Sequence, residues 1–133
     1  ERPNVVLGDP EAAVKTRLFN ARRQLLERAG GTLTTAEAAE LLGTTAGAVR
    51  KRIQRGTLLS YLTASGEHRL PNAQFEAGDT IEGLEKVLAA MHVEDSWMRI
   101  QLFLDDDVIG ALRDGRIEDA VRAVRTYLPR DEG

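Results

Sequence analysis

Leu33-Thr34-Thr35-Ala36-Glu37-Ala38-Ala39-Glu40-Leu41-Leu42-Gly43-Thr44-Thr45-Ala46-Gly47-Ala48-Val49-Arg50-Lys51-Arg52-Ile53-Gln54-Arg55-Gly56 is the stretch whose reading decides the fold. Thr34 followed three residues later by Glu37 has the form of a capping box, in which each side chain takes up the other residue's free backbone N–H. A helix is therefore expected over Thr35–Leu42, ended by Gly43, because glycine accepts the left-handed conformation that closes helices. Thr44 or Thr45 caps a second helix, expected over Ala46–Arg55 and ended by Gly56. In that helix Val49 and Ile53 are one turn apart and face inward with Ala46, which turns Gly47, Arg50, Lys51 and Gln54 outward.

Working outward toward the C-terminus, Leu58-Leu59-Ser60-Tyr61-Leu62 has strand composition, Ala64-Ser65-Gly66 is a turn signal, and Glu67-His68-Arg69-Leu70 returns antiparallel. Pro71 ends the pairing, since it cannot donate to a ladder. Two short helices and a hairpin are the layout of a helix-turn-helix with a wing, which makes DNA the first partner to consider. Charge agrees. Residues 45–70 hold five Lys/Arg against one acid, within a chain of net charge −3. Small residues at the start of the second helix allow close approach to a groove, Arg and Gln donate to base edges, and Lys reaches phosphate. The candidate DNA-binding set is Thr45, Gly47, Arg50, Lys51, Gln54, Arg55 and Arg69. His68 is either a neighbouring contact or an exposed wing residue with no special role.

On the N-terminal side, Glu11–Ala29 reads as one helix, with Val14, Leu18, Ala21, Leu25 and Ala29 on a 3–4 spacing, Asp9 as cap and Pro10 at the first helical position. Gly30-Gly31 stops it. Its apolar stripe serves either the monomer core or a second copy of the chain. Beyond the hairpin, three stripes predict three further helices: Leu84, Val87, Leu88 and Met91; Trp97, Ile100, Gln101 and Leu104; Ile117, Ala120, Val121, Val124 and Leu128. Ser96 is the expected cap of the second, and Asp105 to Asp107 lead into a short turn of helix around Val108–Arg113. Trp97 is expected in the core. The fold expected is all-α with a small β-hairpin wing, divided as an N-terminal helix (1–32) with a possible dimerisation role, a DNA-binding unit (33–75) and a small C-terminal helical domain (76–133).

Composition excludes several classes. With 133 residues, 42% hydrophobic and 29% charged, the chain is that of a globular protein. The absence of Cys rules out disulfides and thiolate metal sites. No apolar run approaches the roughly 20 residues that span a bilayer, so a soluble cytoplasmic protein is expected. With only His68 and His92, a His/Cys zinc site is excluded and nothing suggests a catalytic triad. Asp105-Asp106-Asp107 fails as a calcium loop because its twelfth position is Arg116. Neither a Gly-x-Gly-x-x-Gly nor a Walker phosphate loop occurs. An enzyme is not expected, nor a metal or cofactor. Residues 71–133 carry fourteen acids against seven Lys/Arg, so this half is repelled by polyanions and suited to a basic partner.

The segment Leu33 to Gly43 with Val49-Arg50 and Arg55-Gly56-Thr57-Leu58 resembles the winged helix-turn-helix of excisionase and MerR-like DNA-binding proteins. Downstream, Leu70-Pro71-Asn72-Ala73-Gln74-Phe75, Gly83-Leu84-Glu85-Lys86-Val87-Leu88 and Leu112-Arg113-Asp114-Gly115 match Pro-x-x-Gln-Phe, Gly-Leu-x-x-Val-Leu and Leu-Arg-x-Gly elements in order. In this respect the chain is similar to the Xre/MbcA/ParS family of antitoxins, over about Leu33–Leu128. The resemblance implies a dimeric antitoxin of a type II toxin–antitoxin pair. Such a protein occludes a RES-domain toxin that consumes NAD⁺ and represses its own operon at operator DNA. Candidate toxin contacts under that resemblance are Arg113, Arg116, Tyr127, Arg130 and Asp131. The alternative is a stand-alone transcription regulator whose C-terminal half dimerises and meets no toxin.

Overall fold

The structure, a computed structural model, describes residues 10–127. It is mainly helical with small antiparallel sheets. In chain order the elements are α1 (Pro10–Arg28), β1 (Thr32–Thr34), α2 (Thr35–Leu42), α3 (Ala46–Gln54), β2 (Tyr61–Leu62), β3 (His68–Pro71), β4 (Phe75–Glu76), β5 (Asp79–Thr80), α4 (Leu84–Ala90), α5 (Ser96–Phe103), α6 (Asp106–Arg113) and α7 (Ile117–Thr126).

The capping box forms as its spacing requires. Thr34 Oγ1 accepts from Glu37 N–H at 3.0 Å, and Thr34 N–H donates to Glu37 Oε1 at 2.9 Å. Gly43 closes α2 in the left-handed conformation at φ 70. Thr45, rather than Thr44, caps α3, its Oγ1 accepting from Ala48 N–H at 3.1 Å. α2 and α3 pack on each other, with Ala38, Ala39 and Val49 buried between them and the rest of the core.

The hairpin differs from expectation in two ways. Its first strand does not begin at Leu58. Leu58 and Leu59 are both buried, and the backbone N–H and C=O of Leu59 are bonded to the Gln74 side chain instead of to a neighbouring strand. Pairing starts only at Tyr61, opposite Arg69. The second difference is a third strand. β1 pairs antiparallel with β3, Leu33 opposite Leu70, so that β3 is central in the order β1-β3-β2. Three residues are too few to carry a period-2 signal, and β1 is invisible in the pattern. Pro71 is the last residue of β3, yet it does not end the pairing as expected, since it stands opposite Thr32 and Asn72 N–H donates to Gly31 O at 2.9 Å. A second hairpin, β4 with β5, turns through Ala77 and Gly78 at φ 54 and φ 83, the paired positive angles of a two-residue primed turn.

In the C-terminal half the predicted stripes seat in the core through Leu84, Val87, Leu88 and Met91, through Ile100 and Leu104, and through Ala120, Val121 and Val124, whereas Gln101, expected in the second stripe, is exposed. The expected turn of helix is longer, a full helix α6 that buries Val108, Ile109, Ala111 and Leu112. Asp105 caps it, its Oδ1 accepting from Asp107 N–H at 2.9 Å. Ser96 is not the cap of α5: Asp95 Oδ2 accepts from Met98 N–H at 3.0 Å, which makes Ser96 the first helical residue. Trp97 is half-buried, its ring centroid 4.4 Å from that of Tyr61. Asp9 and Leu128 lie outside the described residues.

One cluster of buried side chains runs from Ala29 to Val124 and so joins the basic and acidic parts of the chain. α1 is the exception. It buries none of its own residues, and Val14, Leu18 and Phe19 are 53%, 48% and 66% exposed. Among the described residues its C-terminal half is anchored, by Arg22 over the Trp97 ring, by Leu25 against the core and by Arg28 Nη2, which donates to Leu104 O at 2.6 Å. Among the described residues no helix is long and apolar enough to cross a membrane.

Candidate nucleic-acid interface

α3 is held from one side only. Val49 is fully buried and Ile53 packs against the core, while Arg50, Lys51, Gln54 and Arg55 on the remaining surface are exposed. Arg52, which was not in the candidate set, turns the other way: half-buried, its Nη2 lies 3.7 Å from Glu85 Oε2 and ties α3 to α4. Among the described residues Arg50, Lys51 and Arg55 make no ion pair. Three cations and a glutamine thus share an open helical face.

Gly47, in the first turn of α3, is conspicuous for having no internal reason to be glycine. A Cβ there would meet only Thr45 Oγ1, at 3.9 Å, and its φ is not in the left-handed region. Glycine inside a helix costs about 1 kcal/mol against alanine. That cost has no return within the fold, whereas close approach of an outside backbone to the start of α3 would use it. Thr45, exposed beside it, is occupied as the cap.

Arg69 belongs to the sheet and not to α3. It is half-buried on the central strand, with Tyr61 and Thr34 as its neighbours across the sheet. Strand alternation sets it on the face opposite buried Leu70. His68, also half-buried, shares a 3.2 Å hydrogen bond between its Nδ1 and Ser60 Oγ. The exposed apolar residue of the hairpin is Leu62, at 59%.

The candidate partner-binding residues of the acidic half are less concentrated. Arg113 is exposed at the end of α6, and Tyr127 is half-buried beside Met98, Gln101, Leu102 and Asp105. Arg116 is engaged locally: Nη1 donates to Asp119 Oδ2 at 3.0 Å and Nη2 to Asp114 Oδ2 at 3.3 Å. These bonds, Asp119 foremost, raise the Arg116 pKa, and Arg116 with Arg122 holds the Asp119 carboxyl below its ordinary value. Arg130 and Asp131 lie outside the described residues. Gly110, in the middle of α6, resembles Gly47, since a Cβ there would meet nothing within 4 Å. Asp106, Asp107, Arg113 and Asp114 surround it on the exposed side of the helix.

Two residues matter to this surface that sequence reasoning did not single out for it. Gln74, matched above only as part of a motif, is completely buried. Its Oε1 accepts from Leu59 N–H at 2.7 Å and its Nε2 donates to Leu59 O at 2.8 Å and to Pro71 O at 3.0 Å. It thereby fixes the chain that leaves α3 against the turn that follows β3. Arg99, from α5, reaches the end of α3 by donating from Nη2 to Gly56 O at 3.4 Å. Nothing local marks either role, because both partners are distant in sequence. Among the described residues no group of His, Cys, Asp and Glu could hold a metal ion. No family model, no curated protein and no solved structure matches this chain.

Proposed function

We propose that the chain is a DNA-binding antitoxin of a type II pair. In this reading residues 33–75 form a winged helix-turn-helix with α3 as its recognition helix. They act as a dimer on operator DNA, while residues 76–133 bind a RES-like toxin in the cytoplasm. The observation that carries the DNA part is the open face of α3, where Arg50, Lys51, Gln54 and Arg55 stand exposed behind a Gly47 that internal packing does not require. Support for the toxin part is the ordered set of short motifs from Pro71 to Gly115. The unexplained Gly110 on an acidic face of α6 adds to it, as does a charge opposite in sign to that of the 45–70 segment.

A dimer follows from the size of the face, since one recognition helix covers too little surface for specific affinity and paired half-sites about 34 Å apart supply the rest. The test is a titration of the full chain with the DNA upstream of its own reading frame. If about five phosphates are neutralised per subunit, log K falls against log salt with slope near −4.5 per subunit. Arg50→Ala costs about 1–3 kcal/mol on that DNA and relaxes the preference at one base pair. A response independent of salt removes the DNA reading. Co-expression with the product of the neighbouring gene tests the toxin: co-purification supports the antitoxin, and DNA binding without it leaves the stand-alone regulator.

A further inference from the structure

Where the end of α3, strand β2 and the start of α5 meet, a groove of about 500 Å³ opens, with Arg55, Gly56, Ser60, His68, Ser96 and Arg99 among its walls. Arg99 is the half-buried cation of this groove. Nη1 donates to Val93 O at 3.3 Å and Nη2 to Gly56 O at 3.4 Å. Both bonds are longer than an ordinary N–H···O bond, and both acceptors are neutral carbonyls. Among the described residues no carboxylate reaches ion-pair distance of Arg99. A guanidinium carries five donors; two are used on these carbonyls, no nitrogen of Arg99 is both buried and without a partner, and the remaining donors are available to a ligand in the groove. Burial pulls its pKa down, and the Glu94 carboxylate, outside ion-pair distance, acts in the opposite sense.

We propose that this groove binds a phosphate group, with the Arg99 fork as its principal ligand. The planar guanidinium matches two phosphoryl oxygens at once. Arg55 adds a second exposed cation, and Ser60 and Ser96 bring hydroxyls to the same walls. Glu94 also lines the groove and opposes the anion. The phosphate belongs either to the DNA backbone, which the neighbouring α3 would hold under the function proposed above, or to a small phosphorylated molecule. The DNA source rests on that function, whereas the site itself does not.

The lone tryptophan provides the probe, because Trp97 stacks on Tyr61, a residue of the groove. Titration of the full chain with inorganic phosphate, at ionic strength held constant with chloride, is expected to change Trp97 emission saturably. Arg99→Gln raises the half-saturating concentration about tenfold or more, the loss of one charged hydrogen-bonding partner. Glu94→Gln lowers it. That second variant leaves the Gly56 and Val93 bonds of Arg99 in place, so it decides the matter even where Arg99→Gln perturbs the fold. A response that never saturates, or a half-saturation that Glu94→Gln does not lower, overturns the site. The source is read from DNA titrations. If the phosphate is the backbone's, Arg99→Gln reduces the salt slope by about 0.9 per subunit and inorganic phosphate competes with duplex. An unchanged slope assigns the site to a small phosphorylated molecule. Saturable phosphate binding by a chain that binds no DNA supports the site and removes the DNA reading alone.

Discussion

Gln74 is the residue on which the most geometry depends for its size. Among the described residues it is the one buried polar side chain, and its amide satisfies both backbone groups of Leu59 together with Pro71 O. Replacement by an apolar side chain of similar volume would leave these groups unpaired away from water, and each such group costs about 1–3 kcal/mol. Gln74→Leu is therefore expected to lower stability by about 3 kcal/mol in urea unfolding. A loss below about 0.5 kcal/mol would mean that Leu59 finds other partners. The consequence extends beyond stability, because the residues that Gln74 holds lead directly from α3 into the hairpin.

At the scale of elements, α4 and α7 approach each other closely at Gly83. Its φ is +90, and a Cβ there would lie 2.8 Å from Ile117 Cγ1 and 3.1 Å from Leu112 Cδ2. Gly83→Ala combines backbone strain with overpacking and is expected to cost about 2–4 kcal/mol, read as a fall in the unfolding midpoint. A stability equal to the parent would show that α7 can shift away without cost. The start of α7 carries its own signature in Asp119, which accepts hydrogen bonds from Arg116 and Arg122. A carboxyl whose folded-state pKa is lowered contributes stability that is complete above the ordinary aspartate range and is lost as pH falls through the lowered value. Carboxyl resonances followed by NMR should place Asp119 below the ordinary aspartate value, and Arg116→Gln should move it upward. No movement would separate the two groups in solution.

For the whole molecule the outstanding feature is α1, anchored to the described core through its C-terminal half. Its 19 residues extend about 28 Å, yet Val14, Leu18 and Phe19 remain about half or more exposed. The stripe was legible in the sequence, and its two possible uses were a core and a second copy. The monomer core takes up only its last turns. Under the dimer proposed above, Phe19→Glu is expected to shift sedimentation from dimer to monomer and to weaken operator binding without changing the monomer's melting temperature. An unaltered dimer would locate the contact elsewhere. Arg22 stacks 4.7 Å above Trp97, which in turn stacks on Tyr61, so α1, α5 and the hairpin are in direct physical contact.

The sequence by itself determined the helices α2 and α3, their caps, the outward face of α3 and the apolar stripes of α4, α5 and α7. Each of these depends on residues no more than about four apart, and a cap or an amphipathic face is a local balance of backbone donors and water. Only the tertiary structure decided that Thr32–Thr34 would become a strand by pairing with His68–Pro71, and that Leu59 would answer to Gln74. It alone brought Arg99 to Gly56, 43 residues away, and left the stripe of α1 mostly uncovered. Those outcomes come from closing the chain on itself, where a contact is set by what else fills the same space, and neither composition nor periodicity records that.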